Sequence, residues 1–239
     1  MSLLCALLAA TQLTVFAASS LREAFLELAR RFEAEHAGVA VSFNFAGSQE
    51  LRTQIEHGAR ADLLASADER HLRALAEAGL AEAPRSFARN EPVIVVPSGN
   101  PAAIHTLREL PRAQRIVVGA PEVPIGAYTL RIFEAAAARY GPGFRSAVEA
   151  RIASRELNVR QVLAKVRLGE ADAAIVYRTD ALAAQEAVET ISIPADLNVV
   201  ADYPIAALRG APQPALARAF IELVLSPAGR ALLARYGFQ

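Results

Sequence analysis

The chain is poor in the residues that build disulfides and metal sites. Its 239 residues include one cysteine, Cys5, and four histidines. A single cysteine excludes an intrachain disulfide. Histidines scattered at 36, 57, 71 and 105 leave no cysteine and histidine constellation for zinc. Neither charge is in excess, since Lys plus Arg and Asp plus Glu each number 25. Binding a phosphate backbone requires a one-sided basic field, so no nucleic-acid partner is expected. Past the first residues, no apolar run is long and uninterrupted enough to span a bilayer.

The motifs of common chemistries are missing as well. There is no G-x-S-x-G elbow, no G-x-x-x-x-G-K-[ST] loop, and no G-x-G-x-x-G after a strand. His36, His57, His71 and His105 stand in ordinary helical or loop contexts and read as surface residues. Asp62, Asp68, Asp172 and Asp180 lack the D-x-[DN]-x-[DN]-G calcium spacing and read as caps and surface charges. No titratable pair asks to be an acid and a base, so an enzyme is not expected.

What is present is ample apolar material, 53% of residues, enough for one large domain or two small ones. Met1–Ala10 (MSLLCALLAA) resembles the end of a secretory h-region without the basic segment that should precede it. We read residues 1–12 as the remnant of a signal peptide with a truncated start, outside the fold. A lipidated Cys5 is the rival reading, although Leu3 and Leu4 fit a lipobox poorly.

Short β-branched runs alternate with stretches of helical period, which predicts an α/β fold of parallel strands and crossover helices. The predicted strands are Leu13–Ala18, Val39–Phe45, Asp62–Ser66, Val93–Pro97, Arg115–Gly119, Ala173–Tyr177 and Ile205–Leu208. Leu21, Phe25, Leu28, Ala29 and Phe32 share one face of the first helix. Val159, Val162, Leu163 and Val166 form a second stripe that stops at Gly169. The cluster Tyr140-Gly141-Pro142-Gly143 most simply ends a helix. Asn90–Asn100 and Ala201–Gly210 read as linkers where the chain changes domain. They predict one lobe from 13–90 and 203–239, a second from 91–202, and a cleft between.

The segments VFAASSLREAF (Val15–Phe25) and FNFAGSQELRTQI (Phe43–Ile55) repeat one design: a strand ending in Phe-Ala, small residues, a serine, then a helix. The first N–H groups of a helix lack partners and carry the positive end of its dipole, so they attract anions. Taken singly, Ser20 and Ser48 are more simply helix caps, and Ser20 with Glu23 fits a capping box. Recurrence argues otherwise. Pro124-Ile125-Gly126 follows a strand end, Asn158-Val159 opens a helix, and Tyr177 closes a strand. In open α/β sheets such places face one ligand crevice. Hydroxyls and N–H groups without a dedicated lysine suit a fully ionised oxyanion. A protonated one leaves donor facing donor, at about 1–3 kcal/mol. Arg22, Arg160 and Arg178 lie nearby and are read equally well as solvated.

Several segments together, LTVFAASSL, FNFAGSQEL, QIEHGARADLLASAD, VPIGAYT, NVRQVLAKVRLGEADAAIVYRTDA and SPAGRALLARYGF, resemble the periplasmic molybdate-binding proteins of molybdate ABC importers, from Leu13 to Phe238. The resemblance implies a type II periplasmic binding fold: two lobes, each a mostly parallel sheet flanked by helices, with a two-strand hinge. It implies that molybdate, and tungstate with it, is held by Ser20, Ser48, the N–H groups of Ile125 and Val159, and Tyr177, with no direct ligand to molybdenum and no cofactor. Read without it, Tyr177 is as readily a core aromatic. It further implies a monomer in the periplasm, or tethered through Cys5, that delivers to membrane permease subunits. A carrier of another oxyanion such as sulfate, and an effector-sensing domain of the same fold, remain alternatives.

Overall fold

The computed structural model of the protein describes residues 10–239. Cys5 and nearly all of the apolar opening lie outside the described residues. Two five-stranded sheets organise the rest. The first holds β1 (Thr11–Ala18), β2 (Val39–Ala46), β3 (Leu63–Ala65), β4 (Arg85–Asn90) and β10 (Ala201–Ala207), in the order β2-β1-β3-β10-β4. The second holds β5 (Pro92–Pro97), β6 (Ile116–Gly119), β7 (Ile152–Glu156), β8 (Ala173–Tyr177) and β9 (Val188–Ile191), in the order β7-β6-β8-β5-β9. In each sheet four strands run one way and one opposes them, β10 in the first and β5 in the second. The fold is α/β with mixed sheets.

Strand β1 starts at Thr11, and Thr11 and Gln12 pair with Val39 and Ala40. The expected leader boundary after residue 12 thus falls inside β1. Three strands, β4, β7 and β9, escaped the sequence reading, and all three are sheet edges. An edge strand is covered on one side only, so its sequence need not be a continuous apolar run. β4 reads RSFARN and β7 reads IASRE, with exposed positions interleaved. β2 is an edge too, but the alternation Val39, Val41, Phe43, Phe45 gave it away. β10 begins four residues ahead of the predicted Ile205, with Tyr203 opposite Ala88 and a register shift at Pro204, where proline cannot donate to the ladder.

The helices are α1 (Arg22–Glu35), α2 (Ser48–Glu56), α3 (Glu69–Glu77), α4 (Pro124–Tyr140), α5 (Gly143–Glu149), α6 (Val159–Arg167), α7 (Arg178–Ala183), α8 (Pro214–Leu225) and α9 (Pro227–Arg235). α1 buries the predicted stripe from Leu21 to Phe32. Its Phe25 ring lies 5.8–6.4 Å from the rings of Phe43, Phe87 and Phe220. Leu51, Leu72 and Leu75 of α2 and α3 join Phe16, Leu64 and Ala206 in a separate cluster. The β1 alternation that sends Val15 and Phe16 to different clusters shows that the first sheet is covered on both faces. α6 buries Val159, Val162, Leu163 and Val166 and ends before Gly169 at φ +72°. α4 ends at Tyr140, before Gly141 at φ +106°.

The chain passes from the first sheet to the second through Glu91 alone and returns through residues 192–200. Each strand inside the expected linkers belongs wholly to one sheet.

One close approach decides how α4 meets the second sheet. A Cβ on Gly126 would stand 1.9 Å from the Ala120 carbonyl oxygen and 2.5 Å from that of Gly119. Only glycine lets the first turn of α4 rest on the end of β6. Gly126→Ala is expected to cost about 3 kcal/mol or more in a chemical denaturation series, since neither contacting carbonyl is the end of a flexible side chain. A variant as stable as the parent would show that α4 shifts freely.

Candidate functional site

The C-terminal ends of β1, β2, β6 and β8 converge where the two sheets face each other, the place where open α/β sheets form their crevice. A small cavity lies there, with about 10 Å³ accessible to the centre of a water molecule. From the first sheet's side it is lined by Ala18, Ser19, Ser20, Ala46, Gly47, Ser48 and Ala67. The second contributes Val123, Pro124, Ile125, Asn158, Val159 and Tyr177. All five residues singled out from the sequence therefore share one wall, and none of the lining side chains is charged. The volume suits one compact solute and is far below the ~300 Å³ of a typical organic-ligand pocket.

Three helices begin at this wall. α2 starts after Gly47, α4 after Val123 with Pro124 in its first turn, and α6 after Asn158. The Asn158 side chain caps α6 by accepting from the Gln161 N–H at 3.1 Å. Ile125 and Val159 lie in first turns, where backbone N–H groups have no intrahelical acceptor. These N–H groups and the aligned peptide dipoles give an uncharged cavity a positive potential.

Neither serine caps a helix, which corrects the simpler reading of each. Ser20 sits in a 3-10 turn, Ser19–Leu21, ahead of α1, and its Oγ lies 3.0 Å from the Tyr203 Oη. Ser48 is the first residue of α2 rather than its cap, and its Oγ accepts the Ala67 N–H at 3.0 Å. With that lone pair occupied, the Ser48 proton is left to donate. Tyr177 is 1% exposed, and its hydroxyl has no hydrogen-bond partner among the described residues. Burial raises its pKa well above the ordinary phenol value, so it stays a neutral donor. Its ring packs edge-on against Tyr128 and Tyr203.

The arginines considered from sequence do not line the cavity. Arg22 lies 5.0 Å above the Phe45 ring, and Arg178 pairs with Glu91 at 2.5 Å. Arg160 pairs with Glu23, which belongs to α1 on the other side of the cleft. Its Nε also stands 3.1 Å from Asp180 Oδ1, near enough for attraction but misaligned for a hydrogen bond. Asp180 is fully buried, neither of its oxygens has a well-aligned hydrogen bond among the described residues, and burial pushes its pKa up to about 6 against the pull of Arg160 and of the Tyr177 backbone N–H. Reading Asp180 as a surface charge was wrong.

Further contacts join the two sides around the cavity. Gln49 Nε2 donates to the Leu157 carbonyl at 2.7 Å, and the Tyr128 hydroxyl to the Ala67 carbonyl at 3.5 Å. His71 Nε2 bonds the Glu122 carbonyl at 3.0 Å. His71 is thus buried rather than a surface residue, and burial is the main cause lowering its pKa. A Cβ on Gly47 would stand 2.4 Å from the Leu157 carbonyl oxygen. Its absence allows the two sides to meet. Among the described residues no three His, Cys, Asp or Glu side chains are grouped to hold a metal ion. Sequence reasoning passed over Gly47, Asn90 and Tyr203. Gly47 had a signal, as the glycine in a strand-to-helix turn, whereas the other two appeared only as linker residues.

The family described as "Bacterial extracellular solute-binding protein" matches residues 13–239. The molybdate-binding protein ModA of Mycobacterium tuberculosis is 43% identical over 231 residues, covering 96% of this chain and 85% of that protein. Among solved structures, the Azotobacter vinelandii periplasmic molybdate-binding protein superposes with a TM-score of 0.82 at 20% identity, covering 95% of this chain and 98% of that one. The sulfate-binding protein SubI from M. tuberculosis superposes with a TM-score of 0.86 at 20% identity, covering 95% and 86%. At such identities these likenesses concern the fold.

Two outcomes test the contacts around the cavity. Gly47→Ala is expected to leave the melting temperature within a few degrees of the parent. It should increase the radius of gyration measured by small-angle scattering, because the added methyl props Leu157 away. An unchanged radius would show that the contact yields. Asp180 binds its proton more tightly in the folded than in the unfolded chain. Its contribution is therefore most favourable below the ordinary carboxylate pKa and is lost as pH rises through about 6. Asp180→Asn, which cannot ionise, should gain about 2–4 kcal/mol relative to the parent between pH 4 and pH 7. A flat difference in urea midpoints across that range would contradict it.

Proposed function

Because the chain belongs to the bacterial extracellular solute-binding protein family, we propose that it is the substrate-binding component of a molybdate ABC importer, taking molybdate and tungstate. The observation that carries this reading is the donor set. Two serine hydroxyls, two helix N-terminal N–H groups and an unpartnered phenol surround one small cavity with no charged lining side chain. Such a set can present donors to a tetrahedral dianion from both sides and places no carboxylate beside it to take a ligand proton. The oxyanion is held through Ser20, Ser48, Ile125, Val159 and Tyr177, with no protein atom bonded to molybdenum.

A ligand that touches both sides stabilises their approach, so capture is a closure. The crossing at Glu91 and the return segment 192–200 are the hinge. The closed shape is what the membrane permease subunits receive, from a protein acting outside the cytoplasmic membrane as a single chain. No helix among the described residues is long and apolar enough to cross a membrane. Sulfate has the same charge and the same demand for donors, so discrimination against it rests on the size of the cavity.

The test is calorimetric titration of the anion-free chain with molybdate, tungstate, sulfate and phosphate, repeated on Ser48→Ala. Molybdate and tungstate are expected to bind tightly, with the variant weaker by about 10–100-fold for one lost charge-assisted hydrogen bond. Heat with sulfate alone would make the chain a sulfate carrier. Silence with all four would end the oxyanion reading.

A further inference from the structure

The contact between Ser20 and Tyr203 leaves open which hydroxyl donates, and that choice matters to any ligand in the cavity. If Ser20 donates to Tyr203, it turns a lone pair toward the ligand. If it accepts, it turns its proton. Ser48 differs: its Oγ accepts the Ala67 N–H on one lone pair, and no side-chain or backbone acceptor among the described residues competes for its proton.

The neighbour that settles the direction is Asn90, the last residue of β4 and 1% exposed. Its Oδ1 accepts the Glu91 N–H at 3.0 Å, which fixes the orientation of the amide. Its Nδ2 faces two oxygens, Thr179 Oγ1 at 2.9 Å and Tyr203 Oη at 3.5 Å. An amide nitrogen has two protons and no lone pair to offer, so both contacts are donations. Tyr203 therefore accepts from Asn90, and its own buried proton goes to Ser20 Oγ, the one acceptor within hydrogen-bond reach of it among the described residues. Burial raises the Tyr203 pKa well above the ordinary phenol value, so that proton is always there.

We infer that Asn90 and Tyr203 form a one-way hydrogen-bond relay that forces Ser20 to donate into the cavity, and so discriminates against oxyanions that carry a proton. Both are positioning residues, since neither lines the cavity. The inference rests on the oxyanion-binding reading and deepens it. It also gives Asn90 a role in assembling the site, since its two donations go to opposite sides of the crossing, Tyr203 in β10 and Thr179 in α7.

Two substitutions act on the relay in different ways. Tyr203→Phe removes the donor to Ser20 and lets that hydroxyl rotate and accept. Asn90→Asp is nearly isosteric and reverses the chain: the carboxylate takes the Tyr203 proton, Ser20 must then donate to Tyr203, and a lone pair faces the ligand. Titrations with molybdate and with hydrogen phosphate at one pH read both effects. The parent should prefer molybdate strongly. Tyr203→Phe should lose about tenfold in molybdate affinity while gaining relative affinity for hydrogen phosphate, and Asn90→Asp should lose more than Tyr203→Phe. On a Ser20→Ala background, Tyr203→Phe should have no further effect on the preference, because the relay has lost its last member. A purely structural role would lower both affinities together and leave their ratio unchanged. A parent that binds molybdate, with variants that keep its preference, overturns the relay alone. A parent that binds no oxyanion overturns the transport reading and the relay with it.

Discussion

Unsatisfied backbone N–H groups at helix starts are the constraint around which this protein is arranged. A buried donor without an acceptor is costly, and most folds hide such groups behind a capping side chain. Here the two serines best placed to cap α1 and α2 are drawn elsewhere, one to Tyr203 and one to Ala67. Glycines then bring the helix starts close. Gly126 seats α4 on β6, and Gly47 lets α2 approach Leu157 across the cleft. The Tyr177 hydroxyl is orphaned in the same place. These features are each unfavourable for the isolated chain, and in the proposed function one small anion would answer all of them together.

The neutrality of the cavity is a choice about selectivity. A lysine or arginine in the wall would attract any anion, proton-bearing or not. Helix dipoles and hydroxyls supply positive potential with fixed geometry instead, so in the proposed function the fit would depend on shape and on the absence of ligand protons. The charges near the cleft are kept busy outside it, as Arg160 with Glu23 and Arg178 with Glu91 show. The first pair joins the two sides and the second ties α7 to the connecting residue, neither entering the cavity.

The sequence made the α/β class and the central strands readable because buried strands must be apolar throughout. The edges β4, β7 and β9 were unreadable for the complementary reason. The repeated strand-serine-helix design marked Ser20 and Ser48, and strand ends marked the neighbourhoods of Ile125, Val159 and Tyr177. Pattern alone could not separate a capping serine from one whose lone pair is taken by a residue far along the chain. That distinction depends on Ala67 and Tyr203, 19 and 183 positions away. Tyr177 looked like a core aromatic because it is one, apart from its last atom. Asp180 and His71 were misjudged since polar residues default to the surface, and only tertiary packing buries them.

The passage through Glu91 has a mechanical consequence. Glu91 is followed by Pro92, and a residue before proline is held to extended conformations. One of the two connections is therefore a single stiff residue, while the other, 192–200, is longer and is anchored by buried Ile193 and Leu197 and by Asn198 donating to the Pro92 carbonyl. In the proposed closure, the stiff connection would set the axis of rotation and the longer one would follow it. Insertions should be absorbed more readily at the exposed Pro194–Asp196 stretch, where an added residue costs little loop entropy, whereas lengthening the chain at Glu91 would unseat the axis itself. The protein's two connections are thus unequal: one would behave as a bearing, the other as a strap pinned at Ile193 and Leu197.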